Sequence, residues 1–223
     1  MTTDLAPFWL SVRVASLATL LVVAAGLPLA TLLARGRFPG KALLGGILVL
    51  PLVLPPTVLG FLLLQLLGRQ GWLGKWLEGT LGVVVVFHWT GAVLASAVAA
   101  FPMFLLPARG AIEGVDPALE DAARLLGRRE FSVFRHVTVP LAWRGLAAGA
   151  VLAFCRALGD YGATLMVAAD LPGRTQTASM AIFDAVNAGD LEAARALTLL
   201  ISAVSIAALA VVQRALPGRR SGL

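Results

Sequence analysis

The stretch LEDAARLLG at residues 119–127, followed after nine residues by VTVP at residues 137–140, is a polar segment between two long apolar ones. Its charges are of both signs, two of its residues are small alanines, and Gly127 interrupts the helical pattern at its end. These properties are typical of a short helix with a face that another protein can contact. A chain that only had to lie in lipid would not need such a segment, so we expect a partner in water.

Composition identifies the rest of the chain as membrane-embedded. Hydrophobic residues make up 59% and charged residues 13% of the 223 residues, and the mean hydropathy is +0.88. A soluble domain is about half apolar and about a quarter charged. We therefore predict an all-α integral membrane protein in which residues 1–223 form a single transmembrane domain. The apolar stretch at the N-terminus is too long for a cleavable signal peptide.

Five apolar segments are long enough to cross a bilayer as helices, and the length of the chain allows six at most. The stretch 172–192 is too polar to span and too apolar to be a simple linker, and its core, residues 179–186, predicts a short helix at the outer surface or a partly re-entrant one. The five predicted spans are Phe8–Ala34, Ala42–Leu67, Leu81–Pro107, Leu141–Ala168 and Ala193–Arg214.

The basic residues are distributed unevenly between the connections. In a five-helix arrangement, one side of the membrane holds twelve of the eighteen Lys and Arg residues. The positive-inside rule then places the polar loop, about residues 109–140, and the C-terminus in the cytoplasm, and the N-terminus and the loop at about 169–192 outside. Because topology explains the net charge of +6, we expect no nucleic acid partner. The twelve residues are Arg35, Arg37, Lys41, Arg109, Arg124, Arg128, Arg129, Arg135, Arg144, Arg214, Arg219 and Arg220.

Two features inside the spans are candidates for a polar pathway. Arg156 and Asp160 are four residues apart, so a helix places them on one face, where they form a neutral pair that locks helices together or a charged lining for an anion. The second span contains three prolines within residues 51–56, which produce a packing kink or a bend that lines a pathway. Both alternatives stay open in each case. The candidate pathway-lining residues are Pro55, Pro56, Thr57, Arg156, Asp160 and Thr164.

Enzyme chemistry finds little support in the sequence. No glycine-rich phosphate loop stands beside a Lys-Ser or Lys-Thr pair. His88 and His136 lie in different regions, which argues against a metal or haem site. Ser96 and His88, eight residues apart on the third span, leave a serine-type intramembrane site formally open without any flanking glycine motif. We predict a chain that is not an enzyme and that holds no metal and no cofactor.

The polar loop resembles the EAA loop of binding-protein-dependent ABC importer permeases. Asp121-Ala122-Ala123, three residues, Gly127, nine residues and then VTVP reproduce its spacing, with Asp121 in place of the usual Glu and valines in place of the usual Ile and Leu before the proline. In that family the loop forms a coupling helix that docks in a groove of the ATP-hydrolysing subunit, and Glu120 could share the acidic role there. The resemblance gives the candidate ATPase-coupling residues Glu120, Asp121, Ala122, Ala123, Gly127 and Pro140.

Three further stretches are similar to the molybdate group of these permeases: LPLVLPPTVLG at 50–60, RALGDYGAT at 156–164 and LPGRTQT at 171–177. The likeness extends over nearly the whole chain. It implies the ABC importer permease fold of the molybdate type and a permease that moves molybdate by alternating access. Tungstate, sulfate and thiosulfate remain alternative cargoes, and a membrane scaffold or an intramembrane enzyme are alternatives from other classes.

The resemblance also implies an assembly in the bacterial inner membrane, surrounded by lipid. It would contain two copies of this chain, two ATP-binding subunits at the cytoplasmic face and an extracytoplasmic molybdate-binding protein. ATP and Mg would be bound by the ATPase, and none by this chain. The outer loops Arg69–Thr80 and Asp170–Glu192 are then candidate docking surfaces for the binding protein.

Overall fold

The computed structural model describes residues 4–82 and 84–215, and this part of the chain is all-helical, as predicted. A π-helical segment, Phe134–Thr138, joins the seventh helix to the eighth. The helices are α1 (Ala6–Arg35), α2 (Lys41–Val53), α3 (Pro56–Leu67), α4 (Trp72–Leu81), α5 (Trp89–Glu113), α6 (Pro117–Leu125), α7 (Glu130–Val133), α8 (Val139–Leu158), α9 (Gly162–Ala168), α10 (Ala178–Asn187) and α11 (Leu191–Ala215).

Four helical stretches of the described residues are long and apolar enough to cross a membrane: α1, α5, α11 and the continuous helix Glu130–Leu158. The pair α2 and α3 gives a fifth span if its two halves are counted together, although they are bent by 116°. Five spans were expected. The helix expected within residues 179–186 is present as α10.

The second predicted span, Ala42–Leu67, contains a complete break between two helices where the sequence predicted a kink or a bend. The chain leaves the helical conformation at Leu54, with ψ 139°, and at Pro55, with ψ 138°. Each of these residues precedes a proline, and the ring of a following proline disfavours the α conformation. Two consecutive prolines therefore break the helix completely, whereas Pro51 is accommodated inside α2.

The next two predicted spans also need correction. The helix of the third predicted span, α5, begins at Trp89 and not at Leu81, because Gly82 ends α4 with φ 64° and residues 84–88 are not helical. His88 therefore precedes the helix as its N-cap, whereas it was expected on the helix. The span predicted at Leu141–Ala168 is divided into α8 and α9 at residues 159–161.

Three helices form the centre of the fold, and glycines bring them close together. A Cβ atom at Gly26 of α1 would lie 2.6 Å from Cδ1 of Phe104 of α5, and one at Gly149 of α8 would lie 3.0 Å from the carbonyl oxygen of Phe104. Phe104 itself is 1% exposed. Small residues at such positions let membrane helices approach closely.

Contacts at the two ends of α1 show the relative directions of the helices. Arg13 near the start of α1 stacks on Trp89 at the start of α5, 4.1 Å from the ring centroid. Arg35 at the end of α1 donates to the carbonyl of Val115, just after α5. The helices α1 and α5 are therefore parallel, and α8 runs antiparallel to both.

This arrangement produces two distinct ends. The α6 end gathers the C-termini of α1 and α5 and the N-terminus of α2, with Lys41 and Arg109 lining one pocket. The α10 end gathers the N-termini of α1 and α5, and the Ala178 N–H donates to Ser11 Oγ over 2.8 Å. The basic residues that the sequence placed on one side of the membrane, from Arg35 to Arg144, thus lie at the α6 end. Arg219 and Arg220 lie outside the described residues.

Candidate functional site

The helix expected in the polar loop is present as α6, and both of its ends are capped. Asp116 Oδ1 accepts from the Ala118 N–H over 2.9 Å, and a proline occupies the first turn. At the other end, the Arg128 N–H donates to the Ala123 carbonyl over 3.1 Å and the Gly127 N–H donates to that of Arg124 over 2.9 Å. This is a Schellman motif, with Gly127 in the left-handed conformation at φ +78°.

Nearly the whole surface of α6 lacks a covering element, since Glu120 is its only buried residue. Three large apolar side chains at or beside its C-terminal end are strongly exposed: Leu125 at 89%, Leu126 at 84% and Phe131 at 73%. Exposed apolar groups rimmed by charge mark interaction sites. Sequence reasoning did not select these three residues, although a Leu-Leu pair inside a polar loop was an available signal.

The two acidic residues of α6 have different surroundings. Glu120 faces inward, and its Oε1 accepts from Arg35 Nη2 over 3.1 Å and from Thr138 Oγ1 over 2.7 Å. Asp121 faces solvent and pairs with Arg124 at 2.6 Å. The sequence suggested that Glu120 could share the acidic role of Asp121; in the structure the carboxylate of Glu120 contacts Arg35 and Thr138, and only that of Asp121 lies in solvent.

Arg124 connects α6 to the next helix. Besides Asp121 it contacts Glu130 through two hydrogen bonds of 2.7 and 3.1 Å. The bonds to Arg124 lower the pKa of Glu130, and those from Glu130 and then Asp121 raise the pKa of Arg124. These side chains are solvent-exposed, so we assign them the role of fixing the turn around Gly127 and no large stability.

Pro140 explains the π-helical segment before α8. It has no N–H to donate to the carbonyl four residues earlier, and the neighbouring Val139 N–H instead donates to the Phe134 carbonyl, five residues earlier. The widened turn contains Thr138, which is 3% exposed and bonds to Glu120. Pro140 itself is exposed.

A second cluster lies within the apolar part of the fold, around Asp160. Asp160 Oδ1 accepts from Arg156 Nη1 over 2.9 Å, and Oδ2 accepts from the Thr164 N–H over 3.0 Å and from its hydroxyl over 2.6 Å. The Thr164 and Ser96 hydroxyls are 3.2 Å apart. The side chain of Asp160 is 1% exposed and that of Arg156 is 28% exposed.

The two helix breaks that the sequence singled out meet in space. A Cβ atom at Gly162, beside the break between α8 and α9, would lie 2.8 Å from Cβ of Pro56. One at Gly60 of α3 would lie 2.7 Å from Cβ of Met166. The structure thus brings the proline stretch against the RALGDYGAT stretch, with Pro55, Pro56 and Thr57 exposed.

The structure does not pair Ser96 with His88, the two residues of the serine-type alternative. Ser96 pairs with Thr164, whereas Nδ1 of His88 pairs with the Thr90 hydroxyl over 2.9 Å. Within residues 4–82 and 84–215, no three His, Cys, Asp or Glu side chains are placed to hold a metal ion.

A third polar group lies at the α10 end. Gln176 Nε2 donates to Asp184 Oδ2 over 2.9 Å, and Asp170 lies nearby. Burial, and then the neighbouring Asp184 carboxylate, raise the pKa of Asp170 to about 6. Its Oδ1 is buried without a hydrogen-bond partner among the described residues. Sequence reasoning placed these residues in an outer loop without assigning them a contact.

Comparison with known proteins gives consistent relatives over most of the chain. It is 45% identical over 202 residues to the molybdenum transport system permease protein ModB of Escherichia coli strain K12, which covers 90% of this chain and 88% of the relative. It is 39% identical over 208 residues to the putative molybdenum transport system permease protein YvgM of Bacillus subtilis, covering 93% and 92%. With ModB of Haemophilus influenzae the identity is 47% over 154 residues, covering 69% and 67%.

The family described as binding-protein-dependent transport system inner membrane component matches residues 26–221. That match includes α6, both helix breaks and the Arg156–Asp160 pair. An all-helical, multi-pass architecture with a capped polar helix at one end agrees with it. The chain therefore belongs to this family of ABC-type permeases, and it is a membrane-embedded transport subunit.

Proposed function

We propose that the chain is the permease subunit of an ATP-driven molybdate importer. The observation that carries the proposal is α6, a capped helix of which Glu120 is the one buried residue. The proposed cargo rests on the relatives named for molybdenum transport, which are 39–47% identical to this chain. In the proposed orientation the N-terminus lies outside, and α6 and the C-terminus lie in the cytoplasm of a bacterial inner membrane.

The partner at α6 is a separate ATPase, because this sequence has no phosphate-binding loop of its own. The exposed leucines at 125 and 126 and Phe131 would fill apolar pockets of that subunit. Asp121 and Arg124 would form the charged rim, which fixes the register of docking more than its strength. Two ATP-binding subunits would serve two copies of this chain, and closure of the ATPases would move α6 and, with it, the spans.

The Arg156–Asp160 pair is the proposed anion contact of the pathway. A guanidinium has five N–H donors, and the structure assigns one of those of Arg156 to Asp160. The remaining donors can bind a tetrahedral oxyanion as it passes. Asp160 cancels the positive charge, so the anion would be bound weakly and released, as transport requires. Tight selection would belong to the extracytoplasmic binding protein.

The test is uptake of labelled molybdate into vesicles that hold the permease, the ATPase and the binding protein. We expect uptake that needs ATP, that an equal concentration of tungstate reduces strongly and that a large excess of sulfate leaves intact. Strong competition by sulfate or thiosulfate would reassign the cargo. Uptake without the ATPase, or ATP-independent uptake, would contradict the proposed class of transporter.

A further inference from the structure

The helix α6 has few side-chain attachments to the membrane-embedded part of the fold. Among the described residues, its only buried side chain is that of Glu120, which is 4% exposed. The other strong contacts of α6 are those of Arg124, and they lead only along the chain to Glu130 at the start of α7. A helix held in this way transmits force to distant spans through very few groups.

Glu120 contacts residues at the ends of two spans, α1 and α8, that are far apart in the sequence. Its Oε1 binds Arg35, the last residue of α1, which is 85 positions away in the sequence, and Thr138, which precedes α8. Arg35 Nη2 also donates to the Val115 carbonyl, 2.8 Å away, in the connection between α5 and α6. One carboxylate thus ties α6 to the ends of α1 and α8, and through Arg35 to the end of α5.

The chemistry suits a rigid link. The side chains of Arg35 and Glu120 are 28% and 5% exposed, so the pair is only slightly screened by solvent. Charged hydrogen bonds are shorter and stronger than neutral ones. Removing one partner of such a pair leaves a buried charge without compensation, which is far more costly than removing both.

We propose that Glu120 is a positioning residue that makes α6, α1 and the helix leading into α8 move as one body. The inference rests on the proposed function, because it takes α6 to be the element that the ATPase moves. The covalent connections of α6 would carry motion to α5 and, through residues 126–129, to the helix Glu130–Leu158, but not to α1. Without Glu120, α6 would follow the ATPase while α1 lagged behind, so ATP would be hydrolysed with little transport.

The first measurement compares Glu120→Gln with Glu113→Gln in the complete reconstituted complex. Glu113 is the matched control, because it also pairs with an arginine at the same end of the fold, but at an exposed site. We expect Glu120→Gln to keep its ATPase activity within about twofold while molybdate moved per ATP falls at least about fivefold. Glu113→Gln keeps the wild-type ratio. An unchanged ratio in Glu120→Gln overturns the inference.

The second measurement holds even if Glu120→Gln fails to assemble. Arg35→Cys and Glu120→Cys are combined in a Cys155→Ala background, which removes both buried charges together, and the two thiols are joined by a short reducible bis-thiosulfonate cross-linker. We expect the cross-linker to restore the transport ratio and reduction to abolish it in the same sample. A ratio that does not respond to the cross-linker contradicts a positioning role.

A third measurement separates this inference from the proposed function. Spin labels are placed through Leu32→Cys on α1 and Ala118→Cys on α6, both exposed, in the isolated Cys155→Ala permease. We expect a narrow distance distribution that Glu120→Gln broadens and Glu113→Gln leaves unchanged. If the complete complex transports no molybdate but this broadening is seen, the cargo is wrong and the link stands. If the distribution does not broaden, the link fails whatever the cargo.

Discussion

At the scale of single residues, Asp160 and Asp170 are two partly or fully buried carboxylates that differ in the hydrogen-bond donors around them. Both oxygens of Asp160 have donors, from Arg156 on one side and from Thr164 on the other. Asp170 instead has a neighbouring carboxylate and one buried oxygen without a donor. Burying a charge is tolerated when it is paired, and otherwise the group takes up a proton more readily. The arrangement at Asp170 therefore depends on pH.

Asp160→Asn should destabilise the protein strongly. The amide oxygen can still accept one hydrogen bond, but the guanidinium of Arg156 loses its counter-charge in a poorly solvated position. Breaking one side of a buried pair costs about 3–5 kcal/mol, and the 28% exposure of Arg156 places the expected loss near the lower figure. Thermal unfolding in detergent measures it, with Ser96→Ala as the control, which removes one hydroxyl contact worth about 1 kcal/mol. An Asp160→Asn melting temperature at or above that of Ser96→Ala would contradict the pairing.

The raised pKa of Asp170, at the α10 end, predicts that the stability of the protein depends on pH. Its pKa is raised from the ordinary 3.8 to about 6, so the folded state binds the proton more tightly than the unfolded state does. The contribution is therefore complete below about pH 4 and is lost as the pH rises through about 6. We expect the wild-type melting temperature to be higher at pH 5 than at pH 7.5, and Asp170→Asn to weaken this difference. Glu192→Gln, at an exposed carboxylate in the first turn of α11, should preserve it, and a full pH response in Asp170→Asn would exclude Asp170 as the cause.

The residue contacts that the sequence predicted are the ones that a single helix turn determines. The spacing of four positions predicted that Arg156 and Asp160 can pair, and the ion pair confirms it, although Asp160 lies just beyond the end of α8. Nothing in the sequence relates Ser96 to Thr164, or Arg35 to Glu120, because those contacts depend on how helices far apart in the chain are packed. The inward orientation of Glu120 was missed for the same reason.

At the scale of elements, the prolines show what local chemistry can and cannot predict. An interruption near residues 51–56 follows from proline sterics alone. The bend of 116° between α2 and α3 does not, because α3 is held against α9 through Gly60 and Gly162. The tertiary contact selects the angle that the local break merely permits.

The C-terminal end of α6 supports a prediction for Gly127. A Cβ atom there would meet nothing within 4 Å, but φ is +78°, a conformation that costs an ordinary L-residue about 1–2 kcal/mol. Gly127→Val should therefore distort the cap and reduce molybdate moved per ATP several-fold. Gly127→Asn should retain most of the ratio, because Asn tolerates the left-handed conformation.

Gly110→Ala is the control for Gly127, since a Cβ atom at Gly110 would also meet nothing within 4 Å but Gly110 lies within a helix. It should leave transport unchanged and raise stability by about 0.5–1 kcal/mol. Equal transport ratios for Gly127→Val and Gly110→Ala would show that the cap geometry is not needed for coupling.

At the scale of the whole molecule, helix direction and charge distribution agree. The helices α1 and α5 are parallel and α8 is antiparallel to them, so the connections that carry most of the basic residues meet around α6. Sequence alone predicted this grouping, because charge bias and span count together determine which loops share a side. It did not predict that α1 would contact α6 directly, since a span count contains no information on lateral packing.

The proposed orientation of the whole chain makes a direct prediction for labelling. In a Cys155→Ala background, Leu126→Cys places a thiol at the α6 end and Val186→Cys places one at the α10 end, at positions that are 84% and 51% exposed. A membrane-impermeant maleimide added to intact cells should react with the Val186→Cys protein and spare the Leu126→Cys protein. Inverted vesicles should reverse the pattern, and the Cys155→Ala protein without an added thiol should remain unlabelled in both. Labelling of the Leu126→Cys protein from outside would place α6 where no ATP is available, and it would remove the proposed role of α6 together with the orientation.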